Sequence, residues 1–183
     1  MAPLRSFPMA LVDWQITARC TTVAPMVDPF DPQMVNPASL DVRLGKTLLI
    51  ESVVSPEWVT LDISDCTAED PYLLAPGQFV LAETLEVFYM PLDLTVDFKL
   101  KSSRAREGLE HAKAGFGDPG WVGSKLTMEL RNNRQLWPVK LWPGLRIGQM
   151  VFTRNEDGAT PKRSYAQTGH YNNQPYVAPS WEQ

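Results

Sequence analysis

Residues 94–106 read Leu94-Thr-Val-Asp-Phe-Lys-Leu-Lys-Ser-Ser-Arg-Ala-Arg106, and this stretch decides the fold. Leu94, Val96, Phe98 and Leu100 point one way, and Thr95, Asp97 and Lys99 the other. A period of two belongs to a strand with one buried face. Leu126, Met128 and Leu130 alternate with Thr127 and Glu129 in the same manner. Further strands are predicted over residues 40–51, 57–63, 78–89, 137–142 and 145–153. The 16 Pro and 11 Gly are scattered along 183 residues and disfavour long helices. Short, regularly spaced strands between turn signals predict an all-β barrel or sandwich.

Two short helices interrupt the pattern. One is expected within residues 10–18, the other over residues 102–110, with Ser102 as its N-cap. Residues 154–164 are polar and contain Gly and Pro, so they read as a mobile linker. The polar-aromatic tail beyond is either disordered or folded over something. The expected organisation is a single domain over 1–183, with an N-terminal extension (1–30) and a linker plus C-terminal lid (154–183).

Composition removes several function classes. A domain of this length buries roughly 70% of the surface its unfolded chain exposes, so it needs no staple. The net charge of -4 argues against a nucleic-acid platform. Cys20 and Cys66 stand far apart and match no metal spacing. No apolar run reaches membrane-spanning length, and the N-terminus lacks the apolar core of a signal peptide. The expected location is the cytoplasm, with no membrane partner. Two histidines, His111 and His170, leave few candidates for a hydrolase triad. The H-x-E and P-C-x-x-C pair of zinc deaminases is absent, and so is a P-loop. Gly115-Phe-Gly-Asp-Pro-Gly120 matches G-x-G-x-x-G, but Pro119 and the strand-like residues after it favour a turn.

Some residues carry chemistry in their spacing. Ser102 and Arg106 stand four apart and share a helix face. Hydroxyls and free N–H groups among cations suit an anion such as phosphate; a solvated, capped surface helix fits the same spacing. Glu129 on a polar strand face is either solvated or, beside Arg106 in one cleft, an ionised base able to take a proton from water. Trp121, Trp137 and Trp142 read as core or interface. Tyr165, His170 and Gln174 read as exposed unless the tail closes over a ligand.

Longer segments add a resemblance. Val35-Asn-Pro-Ala-Ser-Leu-Asp-Val-Arg-Leu-Gly45, Leu74-Ala-Pro-Gly-Gln-Phe-Val-Leu-Ala-Glu-Thr-Leu-Glu86 and Lys101-Ser-Ser-Arg-Ala-Arg-Glu-Gly-Leu109 occur in that order. They are followed by Asp118-Pro-Gly-Trp121, Leu126-Thr-Met-Glu-Leu130 with Asn132, Trp142-Pro-Gly-Leu-Arg-Ile-Gly-Gln149, and a tail with Tyr165, Gly169-His-Tyr171 and Gln174. Together they resemble the dCTP deaminase branch of the trimeric dUTPase-like superfamily over roughly residues 30–180.

The resemblance implies a distorted, dUTPase-like β-barrel, assembled as a homotrimer with active sites between subunits. It implies zinc-independent hydrolysis of dCTP to dUTP and ammonia in pyrimidine nucleotide metabolism, with Mg²⁺ accompanying the triphosphate. Glu129 matches the catalytic glutamate. Ser102 and Arg106 would hold the water, the base and the glutamate in register. Lys101 and Ser103, with the N–H groups of neighbours such as Arg104 and Ala105, would bind phosphates. Asp118 falls near the sugar, and the backbone of Thr127 and Met128 near the base. Tyr165, His170 and Gln174 belong to the closing tail. Lys101 replaces the usual Arg, losing a bidentate fork, and His170 replaces a phosphate-binding Lys. A dUTP diphosphatase, alone or after deamination and with Asp118 activating water, fits the same fold. An idle nucleotide-binding trimer is a third reading.

Overall fold

The structure is a computed structural model that describes residues 9–180. The first eight residues of the predicted extension and the last three of the predicted lid lie outside the described residues.

The chain is mostly β. The spine of its main sheet runs Leu109–His111, Thr127–Asn132, Phe79–Thr84, Ser39–Glu51, Arg146–Arg154, Leu94–Leu100 and Phe116–Gly117, all antiparallel. The first and last of these seven strands are separated in sequence only by residues 112–115. Laid flat, they would lie about 29 Å apart. The chain from His111 to Phe116 reaches at most about 17 Å. The sheet therefore curls until its ends approach. The Phe98 and His111 rings, from opposite flanks, meet edge to face at 4.7 Å. Register shifts between Leu44 and Leu48, and between Arg146 and Gly148, mark where the two long strands bend.

The alternation read from sequence is the burial pattern observed. Leu94, Val96 and Phe98 are buried, as are Met128 and Leu130. They join one core with Leu44, Leu48, Ile147 and Phe152. Phe88 stacks on Trp121 at 5.3 Å. Trp121 is core as expected, Trp142 only partly so, and Trp137 is exposed. Buried Asn132 donates to the carbonyls of Leu74 and Trp137 at 2.9 and 3.0 Å, and its oxygen accepts the Arg134 N–H. That fixes the turn after the Glu129 strand.

Three local expectations change. The first helix is Asp13–Cys20, displaced because Met9–Ala10 pairs with Thr153 and Arg154 and holds the chain extended. The predicted 78–89 strand divides into Phe79–Thr84 and Val87–Tyr89. Between them the Glu86 carboxylate turns inward to accept the Arg43 N–H and Nε–H at 2.9 and 2.7 Å. The second helix stops at Arg106, because Gly108 at φ +94° turns the chain into the Leu109–His111 strand. Ser102 is its first helical residue rather than its N-cap; Lys101 takes the cap position with extended backbone and no side-chain cap bond.

A candidate active site at the tail-covered cleft

Thr127 and Glu129 face away from the core because their strand alternates. They open onto a cleft of about 430 Å³ shared with Asp118, Trp121, Tyr165 and Gln174. Apolar and aromatic surface from Trp58, Leu81 and Trp121 dominates its wall. Such a slot suits a flat, partly polar ring. Met128, between the two polar residues, turns its side chain wholly into the core, leaving only its backbone near the cleft.

The tail forms one side of this cleft through a run of hydrogen bonds. The Tyr165 N–H donates to Pro119 and the Trp121 indole to Tyr171. The Val122 N–H donates to Asn172 Oδ1, and the Asn173 N–H returns to the Val122 carbonyl. Gly123, at φ +67°, permits this approach: a Cβ there would lie 2.6 Å from Asn173 Oδ1. Farther along, the Lys125 N–H meets the Gln174 carbonyl at 3.1 Å. Burial holds the Tyr165 phenol above its ordinary pKa.

The last anchor was not legible in sequence. Glu83 is buried, accepts the Lys125 ammonium at 2.9 Å on Oε1, and accepts the Val177 N–H at 3.1 Å on Oε2. Gly45 leaves the room its stem fills, since a Cβ there would come within 2.6 Å of Glu83 Cγ. The only sequence signals were an acidic residue inside an apolar strand and a Lys before the next one.

His111 was likewise missed as a site residue. Its side chain is 4% exposed, and Nε2 lies 3.3 Å from Glu129 Oε2. This histidine, not Arg106, is the side chain that stands beside the Glu129 carboxylate within one chain.

The Lys101–Arg106 segment lies elsewhere. Ser102, Ser103, Ala105 and Arg106 are exposed and do not line the cleft. Arg104 pairs with Glu107 at 2.7 Å. Lys101 turns inward to buried Asp41 at 2.5 Å, where Asn36 donates at 2.8 Å and Arg146 approaches to 3.8 Å. Its ammonium braces the strand-to-helix junction. His170 sits in the tail but does not line the cleft. Among the described residues no group of three or more His, Cys, Asp and Glu could hold a metal ion, and no helix is long and apolar enough to cross a membrane.

A curled β-sheet with a tail-walled, carboxylate-bearing cleft defines the class of protein. The family model for dCTP deaminase-like proteins matches residues 10–155. A dCTP deaminase, dUMP-forming, from Methanoculleus marisnigri is 42% identical over 161 residues, covering 84% of each chain. Its counterpart from Acidothermus cellulolyticus is 38% identical over 188 residues, covering 95% of this chain and 96% of the relative. The crystal structure of the 2'-deoxycytidine 5'-triphosphate deaminase from Agrobacterium tumefaciens matches with TM-score 0.66 at 20% identity. That match covers 82% of this chain and half of the other. The chain belongs to the dCTP deaminase-like family. The relatives' named product is dUMP, whereas the sequence reading put dUTP first.

Proposed function

We propose that this protein converts dCTP and two waters to dUMP, ammonia and pyrophosphate. The observation that carries the reading is Glu129, a carboxylate on a strand's polar face in an aromatic-walled cleft. The names of the relatives support dUMP as the product. In the first step Glu129 takes a proton from water as its oxygen adds at C4 of cytosine. It then delivers a proton to the amine, which leaves as ammonia and generates uracil. In the second step water adds at the α-phosphorus and pyrophosphate leaves. Asp118, in the same cleft, is the residue assigned to orient or activate that water. The backbone of Thr127 and Met128 reads the base edge, and Tyr165, His170 and Gln174 belong to the tail that covers the ligand.

Ser102 and Arg106 reach a Glu129 cleft from a neighbouring copy in a homotrimer. There the serine holds the attacking water and the guanidinium the base and carboxylate. Ser103, Arg104 and Ala105 then lie along the phosphates, and Lys101 contributes by holding their helix in place. No resident metal is invoked. Mg²⁺ enters as part of the substrate, held mainly by the triphosphate and water as that ion prefers.

One incubation with dCTP and Mg²⁺, resolved by chromatography, tests the reading. Joint accumulation of dUMP, ammonia and pyrophosphate is expected. Accumulation of dUTP would restrict the activity to deamination, and unchanged dCTP would overturn the proposal.

A further inference from the structure

We infer that His111 is a positioning residue for Glu129, with its tautomer set by the backbone so that Nε2–H faces the carboxylate. The inference rests on the reading of Glu129 as the general base.

Its geometry comes from two sources. His111 lies on the Leu109–His111 strand opposite Leu130, so the strands bring His111 beside Glu129. The Ala112 N–H donates to the Glu129 carbonyl at 3.1 Å and ties the two backbones together. The chain then turns sharply, with Lys113 at φ +64°. In that turn the Lys113 N–H donates to His111 Nδ1 at 3.1 Å. A ring nitrogen that accepts a hydrogen bond carries no proton, so the neutral ring's proton sits on Nε2. A left-handed backbone is strained at a lysine, and here it aims a donor at Nδ1. The Phe98 ring, at 4.7 Å, restricts rotation of the imidazole.

Nε2 and Glu129 Oε2 are both buried, and neither makes a hydrogen bond among the described residues. Two complementary orphans 3.3 Å apart, slightly beyond ideal reach, form a contact of the kind that tightens when substrate binds. The Glu129 side chain is 24% exposed although Oε2 is covered, so its accessible part faces the cleft. His111 thus holds one carboxylate oxygen and leaves the other for the attacking water. It touches neither substrate nor water and acts only through Glu129.

Two substitutions separate this role from support of the turn. His111→Asn keeps an acceptor for Lys113 but cannot reach Glu129. His111→Gln keeps a donor at the distance of Nε2 but forfeits the acceptor at Nδ1. Positioning predicts that H111N lowers kcat about 10- to 100-fold with little change in KM, the scale of one hydrogen bond to a charged group. H111Q should stay within several-fold of the parent. The double variant H111N/E129Q should be no slower than E129Q alone, because the two changes disable one unit. A parental rate for H111N, equal losses in both variants, or additive losses in the double variant would overturn the inference.

Nitrogen NMR of the two histidines tests the geometry without turnover. An Nε2–H tautomer for His111, with a resonance that moves in E129Q while His170 stays put, is expected. An Nδ1–H tautomer would overturn the inference. If E129Q were as active as the parent while the NMR result held, the assignment of the base would fail and the contact would stand.

Discussion

The cleft around Glu129 and the Lys101–Arg106 helix lie on the same curled sheet, but they are built differently. In the cleft the polar groups are half-buried and supported: Glu129 by His111, Lys125 by Glu83, and the tail by a run of backbone bonds. On the helix the hydroxyls of Ser102 and Ser103 and the guanidinium of Arg106 are exposed. Lys101, at its base, is committed inward, and the Arg104 side chain is largely covered, with its Nε buried. Burying a polar group is costly unless it is paired, so the cleft is organised before any ligand arrives. An exposed helix of five residues carries no such requirement. None of these exposed groups lines the cleft of its own chain.

The sharpest way to break this contrast is to disable each region separately and then mix the products. Glu129→Gln and Arg106→Ala should each lower dCTP turnover about 10²-fold or more. If the site is shared between copies, a refolded 1:1 mixture of the two variants should regain about a quarter of the parental sites by random assembly. No recovery in assemblies shown to be mixed would place both residues in one chain's site.

Lys101 comes next. Lys101→Met leaves the buried Asp41 charge with only the Asn36 amide and a distant Arg146, and should cost about 3 kcal/mol in urea unfolding. Arg104→Ala breaks the pair with Glu107, whose carboxylate is half exposed, and removes a largely covered side chain without stranding a buried charge, so it should cost less, about 1 kcal/mol. Equal losses would mean that Lys101 is another surface cation, free to bind phosphate.

A smaller effect is expected at the tail latch. Glu83→Gln keeps an acceptor for Val177 but removes the charge facing Lys125. Residues 165–180 should then be cut sooner by protease, and KM should rise several-fold while kcat changes less. Unchanged cleavage would show that the backbone bonds hold the tail unaided.

The smallest effect concerns pH. Burial holds the Glu86 carboxyl above its ordinary 4.5, against the opposing pull of Arg43. A carboxyl with a raised folded-state pKa binds its proton more readily when folded. Its contribution to stability is therefore complete below about 4.5 and is lost as pH rises through the raised value. Glu86→Gln has no such titration, so its stability relative to the parent should improve from pH 4.5 upward. A difference that stays flat with pH would mean that Arg43 fully offsets the burial.

The regions also differ in how much of them was legible. Alternation at Leu94–Leu100 and Leu126–Leu130 located both strands and put Glu129 on the open face, because a strand's side chains alternate whatever it packs against. The 78–89 prediction ran through a break, since apolar residues on both sides of Glu86 gave no sign that its carboxylate turns inward to Arg43. Ser102 suits an N-cap by residue type, yet strand pairing carries the chain extended to Lys101. Trp137 was read as core or interface from its ring and strand-like neighbours; it flanks the Val139–Leu141 strand and is exposed, so it is not core.

Local periodicity and residue type, which act over a few bonds, were enough to determine a β fold, the face carrying Glu129 and the exposed cluster at Ser102–Arg106. Only the tertiary structure decided that Lys101 belongs to Asp41, that Glu83 fastens the tail, and that His111 stands behind Glu129. Each partnership joins residues on different strands or loops, and a short-range contact between them exists only after the sheet has curled.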